Sequence, residues 1–394
     1  MDNIKKMYIV SFLSGMMFFG PIAIPFFLDW GHLDYTRIFL LEAAFMLSTI
    51  IFQMPTGVFA DKYGRRTSIL IGQLLSAAML LVLVLKPDFY AFLVAEVIGG
   101  MGVAFAYGAD RALVFDTLKE MKREKTAKEV FARLNVANLI GFIIVVPIGS
   151  AIAGSSILPY PEVLRLPFFL TILPCLAAAL ATLTLAEPRR SKSALSFLQA
   201  AIKGIEPLRK NLHLRTLALD MAVVSITSFF MFWFYQSILR NAGVDIVLFG
   251  IVSAAFNAVS VLVMWKVAQI ERFAGTGRLL FLSALIIGAA YLVLGLSSAL
   301  WLGVIGIFAV TALRTLRQPV FEHYINFHIK SGERAAVLSS IGMLERFGIM
   351  IMYPIVGFLA DISLSLAFLV LGAITLIFAF LLRSDEAAFE KGRQ

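Results

Sequence analysis

Apolar runs of about 20 residues, rich in Leu, Ile, Phe, Val, Ala and Met, follow one another along the whole chain, separated by short polar stretches. That length crosses a bilayer core as helix. The runs lack the alternation of barrel strands and are too long for them, and in lipid the backbone satisfies its polar groups only within helices or a closed barrel. The pattern predicts twelve spans, at 7–28, 38–59, 68–86, 89–115, 130–154, 165–186, 214–239, 244–268, 278–297, 299–327, 335–360 and 363–382. Connections are short except near 116–130 and 187–213. The opening apolar run is too long for a cleaved signal and reads as a first span behind a short leader.

Composition agrees. Of 394 residues, 60% are hydrophobic and 15% charged, with a mean hydropathy of +0.89, whereas soluble domains are about half apolar and a quarter charged. A net charge of +9 would suit a nucleic-acid partner, but the cations are segregated. With the N-terminus inside, 26 of the 34 Lys and Arg fall on the inner side and four (Arg37, Lys86, Arg165, Arg240) on the outer side. This bias predicts a multi-pass protein of the cell membrane with both termini cytoplasmic, and no nucleic-acid partner. The single cysteine, Cys175, allows no internal disulfide. The four histidines have no metal-ligand spacing and there is no phosphate-binding loop. No enzyme, metal site, cofactor or nucleotide-driven pump is indicated.

The chain divides into a six-helix bundle at 1–186, a linker at 187–213 and a second six-helix bundle with a short tail at 214–394. In the linker Leu195, Leu198, Ile202 and Ile205 recur at helical spacing, with Lys192, Lys203, Arg209 and Lys210 nearby. This is either an amphipathic helix on the inner lipid face or a solvated basic linker. The halves echo each other. RALVFD from Arg111 matches RQPVFE from Arg317, PIGSAIAG from Pro147 matches PIVGFLAD from Pro354, and DKYG at 61–64 matches ERFA at 271–274. A duplicated six-span unit around a midplane site is the build of secondary transporters.

The most polar interruption, GVFADKYGRR at 57–66, carries a further signal. Gly57 would let helix backbones approach closely and Gly64 would allow a tight turn. Gly57, Asp61, Lys62, Gly64, Arg65 and Arg66 resemble the loop between spans 2 and 3 of the major facilitator superfamily, G-x-x-x-D-[RK]-x-G-[RK]-[RK]. YGADRALVFDTL and RQPVFEHYINFHIKSGERAAVLS resemble its prokaryotic drug-exporter-like branch. The resemblance implies an all-α membrane protein with twelve transmembrane helices in two pseudo-symmetric bundles, and spans 1, 4, 7 and 10 lining a central cavity. It also implies a cytoplasmic latch, with Asp61 near the N-terminus of span 11 and Arg65 paired with Asp116. Two antiporter patterns are poorly kept. EVIGGMG at 96–102 has Glu96 where an Arg is usual, and the span 5 pattern keeps Gly141 and Pro147 without the preceding Gly.

An ionised side chain facing lipid at mid-bilayer costs about 2.5–3.5 kcal/mol or more, so charges within spans point inward. In span 4, Glu96, Gly100, Val103, Tyr107 and Asp110 share a helical face. Glu96 and Asp110 are candidates for proton coupling; alternatively each belongs to a permanent ion pair, Asp110 with Arg111. In span 10, Arg314 and Gln318 share a face and Arg317 lies beside them. Arg314 aligns with Gly108, so it has no counterpart in the first half. It would bind an anionic group, close a gate with Glu96 or Asp110, or pair with Glu322 or Glu345. Glu345 and Arg346 are a further internal pair. In span 7, Phe229, Trp233 and Gln236 form a stripe suited to a flat amphipathic ligand, or serve as core and aromatic belt. Asp220 near its inner end snorkels, and Glu42 reaches outer water.

These features point to a monomeric secondary transporter working by alternating access. The first expectation is proton-coupled export of small amphipathic or cationic compounds. The second is a symporter or facilitator that takes up an organic anion or zwitterion through Arg314 and Arg317. A non-transporting membrane sensor is the third.

Overall fold

The computed structural model describes residues 2–188, 197–329 and 333–382. Among these, regular structure is entirely helical. Twelve spans run Asn3–Trp30, Tyr35–Tyr63, Arg65–Leu85, Phe89–Glu120, Glu124–Ala153, Glu162–Leu183, Leu214–Asn241, Val247–Ala274, Thr276–Leu296, Leu300–Ile325, Ala336–Ile362 and Leu364–Leu381. On the inner side several overrun their expected ends. Span 4 continues to Glu120 and span 5 starts at Glu124, so the long connection expected near 116–130 shrinks to residues 121–123. Hydropathy finds where a helix leaves lipid, whereas the polar residues beyond are good helix formers with no reason to stop.

The chain forms two compact units, residues 1–194 with 245–254, and residues 195–244 with 255–394. In the first, span 4 packs between spans 2 and 3, span 3 against span 6, and span 1 against spans 5 and 6. Its inner end closes on Ile4, Met7, Ile69, Leu113, Leu118, Val130 and Leu185. In the second, span 9 packs on spans 10 and 12, and span 7 on spans 10 and 11. Leu214, Leu217, Leu280, Leu316, Phe321, Val337 and Ile341 close its inner end. Large apolar side chains such as Leu180, Trp301 and Phe358 are more than half exposed on the outer faces, which suits a lipid solvent.

The repeat is visible in the turns. Spans 2 and 3 are separated by Gly64 alone (φ 110°, ψ 144°), and spans 8 and 9 by Gly275 alone (φ 78°, ψ 144°). Both conformations favour glycine. The equivalence sets Gly64 against Gly275, one residue beyond the expected match of DKYG with ERFA. Symmetry fails in spans 4 and 10. Span 4 is two helices, Phe89–Ala106 and Ala109–Glu120, broken by an extended Tyr107 and by Gly108 at φ 83°. Span 10 has Arg314 at the matching place and runs unbroken from Leu300 to His328. Span 7 is also divided, into Leu212–Phe229 and Met231–Asn241.

A linker helix, Phe197–Lys210, docks on span 11. Gly204 makes the approach possible, since a β-carbon there would stand 2.1 Å from the Ala336 carbonyl oxygen. Ile202 and Ile205 stay exposed beside the contact. Lys192 and Leu195, and the side chain of Leu198, lie outside the described residues.

Candidate functional site

The residues singled out at 57–66 are helical up to Tyr63 and again from Arg65. Gly64 supplies the turn. Among the described residues nothing lies within 4 Å of where a β-carbon on Gly57 would stand, so they make no close helix approach at that glycine. Asp61 and Lys62 are exposed on the last turn of span 2, with the Lys62 ammonium 5.1 Å from the Tyr63 ring. Arg65 turns inward and is 7% exposed. Its Nη1 donates to the Ala112 carbonyl at 2.6 Å and forms an ion pair with Asp116, itself 3% exposed. The start of span 3 has no side-chain cap of its own; Glu187 closes it from across the bundle. One carboxylate oxygen accepts from Arg65 N at 2.7 Å and the other from Arg66 N at 3.0 Å. Asn3 ties the N-terminus to the same place, exchanging hydrogen bonds of 2.8 and 2.9 Å with the Ala186 backbone. A carboxylate against free N–H groups at a helix start is favourable by charge and by hydrogen bonding.

Higher in the same unit the break in span 4 cuts the expected single face short. Along the outer segment Glu96 and Gly100 are buried against span 2, whereas Val103 and Tyr107, further along the same helix, are 38% and 41% exposed. The extended Tyr107 and the left-handed Gly108 then part Asp110 from that face, since one helical period cannot be carried across them. Asp110 stands in the first turn of the inner segment, where its Oδ1 accepts from the Arg111 backbone N–H at 2.6 Å. The Arg111 guanidinium lies 5.7 Å from the centre of the Phe131 ring. Glu96 is 2% exposed, with no hydrogen bond or ion pair to its carboxyl among the described residues.

In the second unit Arg317 leaves the set of expected substrate contacts. It is 6% exposed, forms an ion pair with Asp220, and donates to Ser283 Oγ at 2.8 Å and to the Leu280 carbonyl. Asp220 is therefore a buried counter-ion rather than a snorkelling residue. Arg314 is half-buried, with its guanidinium 5.3 Å from the centre of the Phe229 ring. Its charge also acts on Glu345, Tyr291 and Tyr353. Glu345 turns towards Ser225, Arg314, Glu322 and Arg346, and one of its oxygens is buried with no hydrogen-bond partner among the described residues. Gln318 Nε2 donates to Glu322 Oε1 at 3.2 Å. The stripe expected in span 7 is split. Phe229 is half-buried and packs on Tyr353 at 6.0 Å, but Trp233 and Gln236 are 8% and 1% exposed, inside the bundle. Phe232, 38% exposed, is the ring presented instead. A pocket of about 240 Å³ at the outer end of this unit, bordered by Asn241, Ser297 and Phe368, contains none of these residues.

Sequence reasoning missed Glu187, Asn3 and Ser283, which act across the fold on backbone or neighbouring groups and carry no local signature. Asp220 had one: an acid within a span needs a partner, and Arg317 is the cation that can bury with it.

Twelve spans built from two similar helical units, with buried charges concentrated in a few places, define a polytopic membrane transporter fold. The profile of the Major Facilitator Superfamily matches residues 7–321, and the chain belongs to that family. "Multidrug resistance protein 2" of Bacillus subtilis (strain 168) is 28% identical over 207 residues, covering 52% of this chain and 48% of that protein. "Quinolone resistance protein NorA" of Staphylococcus aureus (strain MRSA252) is 26% identical over 193 residues, 48% and 47% of the two chains. The matched region spans about half the length of these curated relatives. Among solved structures, the nucleoside transporter NupG superposes with a TM-score of 0.81 at 14% identity, covering 99% of this chain and 100% of the other. A D-xylose–proton symporter superposes with a TM-score of 0.74 at 14% identity, covering 98% and 99%. At such identities the likeness is one of fold.

Proposed function

We propose that this protein is a secondary active transporter of the cell membrane, monomeric and with both termini cytoplasmic, that exports small amphipathic or cationic compounds in exchange for protons. One observation carries the coupling: Glu96 is an acid buried inside a membrane bundle with no cation paired to it among the described residues. A carboxyl in that setting is neutral when protonated and costly when ionised, so its occupancy can be tied to the opening of a water path. Support for the substrate class comes from the names of the multidrug and quinolone resistance relatives, and from the Phe229 and Phe232 rings, stacked on each other and not fully buried, whose faces suit flat or cationic ligands. Arg65 with Asp116 steadies the inner end of the first bundle, and Asp61 is the latch carboxylate.

A second reading keeps its own support. Arg314 is a half-buried cation with no carboxylate in ion-pair contact, as a site for an organic anion or zwitterion requires. The first test is transport by purified protein in liposomes under an imposed proton gradient, with tetraphenylphosphonium, a quinolone and an organic anion as probes. Export of the cation or the quinolone, lost in Glu96→Gln, is the expected result. Gradient-independent movement in the Gln variant equal to wild type refutes the coupling role. Loss of anion uptake alone in Arg314→Gln would favour the second reading.

A further inference from the structure

Spans 2 and 4 run parallel and are keyed together by polar contacts. Ser48 Oγ donates to the Val97 carbonyl at 2.7 Å, and Thr49 Oγ1 to the Gly100 carbonyl at 3.2 Å. A β-carbon on Gly100 would meet the Phe45 carbonyl oxygen at 2.3 Å. These contacts fix the register, with Gly100 level with residues 45–48. One turn further out on span 4, on nearly the same face, stands Glu96. At that depth on span 2, seven residues before Thr49 and so on its face, stands Glu42. The two acids thus confront each other across the interface, within each other's field.

Among the described residues neither acid has a cation in ion-pair contact. Glu42 is the only charged residue of span 2 between Arg37 and Asp61, and span 3 carries none between Arg66 and Lys86. On span 4 Glu96 is the only charged residue before Asp110, and its tyrosines, Tyr90 and Tyr107, lie towards the two ends. The outer part of span 1 covers the pair from outside through Phe26, Phe27 and Trp30, which pack on Phe92. Its ionisable groups, Asp29 and His32, belong to that outer layer, where Tyr160 donates to Asp29. Two cations stand in that outer layer and both are engaged: Arg165 lies 5.6 Å from the centre of the Trp30 ring, and Arg37 pairs with Asp34 at 3.6 Å. Two carboxylates facing each other in such a place cannot both stay ionised.

We propose that Glu42 and Glu96 form one proton-binding site, two carboxyl groups that share a single exchangeable proton between spans 2 and 4. The proton comes from water and returns to it, and no other bond changes. The inference deepens the coupling role proposed for Glu96 and rests on that reading only for its consequence in transport. The site itself is tested without transport. Full-length protein in lipid nanodiscs is treated at neutral pH with dicyclohexylcarbodiimide, which modifies protonated carboxyls in apolar surroundings, and modified peptides are identified by mass spectrometry. In wild type, Glu96 or Glu42 is modified. In E42Q the repulsion from a second carboxylate is gone and Glu96 ionises more readily, so its modification falls about fivefold or more. E96Q does the same to Glu42, and stands in if E42Q does not fold. Wild type unmodified at both positions, or a Gln variant whose remaining carboxyl reacts as before, overturns the shared site. Protection by sodium or magnesium at constant pH overturns it in favour of a metal cation. A shared site that passes this test while E96Q still exports against a proton gradient leaves the site standing and removes its coupling role.

Discussion

Removing the Asp220 carboxylate leaves Arg317 charged, 6% exposed, with two neutral acceptors, Ser283 Oγ and the Leu280 carbonyl. Breaking one side of a buried pair costs about 3–5 kcal/mol, chiefly because the surviving charge stays desolvated. The two remaining hydrogen bonds involve a charged donor, worth about 1.5–3 kcal/mol each, and they persist in the variant. They argue for the lower half of the range, about 3 kcal/mol for Asp220→Ala. At about 2–4 °C per kcal/mol for a unit of this size, the melting midpoint falls by about 6–12 °C. The double variant Asp220→Leu with Arg317→Met removes both charges at similar volume and is expected to lie within about 1 kcal/mol of wild type, since hydrophobic replacement of a buried pair is often neutral. The assay is thermal unfolding of detergent-solubilised protein, followed by intrinsic fluorescence or by aggregation on size exclusion. A single variant as stable as wild type, or a double variant worse than the single, refutes the assignment of Arg317 to a structural pair. If the double variant is stable but no longer binds a transported compound, Arg317 returns to the substrate site.

Three further outcomes follow from particular contacts. Glu187→Ala removes the acceptor for the first two N–H groups of span 3 and is expected to cost about 0.5–2 kcal/mol, read as faster tryptic cleavage after Arg65 and Arg66 in inside-out vesicles. Gly108→Val places a branched side chain at φ 83°, a penalty of about 1–2 kcal/mol or more, and is expected to lower the melting midpoint, whereas Tyr107→Phe leaves it unchanged. Gly204→Leu drives a side chain into the Ala336 carbonyl and Ser340 Oγ, so the linker helix lifts from span 11 and its amides exchange with deuterium faster than in wild type.

The twelve spans and the repeat were legible because bilayer thickness imposes a length on every apolar run and because RALVFD and PIGSAIAG recur as RQPVFE and PIVGFLAD at nearly one offset. Gly64 is the clearest case: the turn was expected from the sequence and a positive φ is found there. Gly57 was not legible, since the same resemblance supplied a close approach that no neighbouring atom makes. The candidate site was read least well where helices break. Periodicity assumes one continuous helix, so the face running from Glu96 ends at Tyr107 and Gly108 before it reaches Asp110. In span 7 Phe230 keeps helical dihedrals, and the stripe from Phe229 to Gln236 fails for another reason: Trp233 and Gln236 are packed inside the bundle, and periodicity names a shared face without saying whether it is lined or packed. Charge balance was the better guide. The rule that an intramembrane charge seeks a partner leaves Asp220 snorkelling and Glu42 in outer water when each span is taken alone, and pairs Asp220 with Arg317 only when spans 7 and 10 are taken together.

Applied across spans, that rule also separates structure from function. Each unit contains a buried carboxylate–guanidinium pair, Arg65 with Asp116 in the first and Arg317 with Asp220 in the second. Asp110 sits at a helix start and Arg111 over an aromatic ring. What these contacts leave in the membrane interior differs between the units. The first retains Glu42 and Glu96, two acids with no cation. The second retains Arg314 against Phe229, with Glu345 beyond ion-pair contact and one of its oxygens without a hydrogen bond. A proton suits the first arrangement because, shared between two carboxyls, it cuts their charge from two to one and relieves their repulsion without needing room. A ligand suits the second because an aromatic face, a cation and a spare carboxylate oxygen stand together. If transport is coupled in this chain, the coupling ion and the substrate therefore load on different bundles, and substitutions at Glu42 or Glu96 should change the pH response of transport while leaving the choice of substrate to Arg314, Glu345 and Phe229.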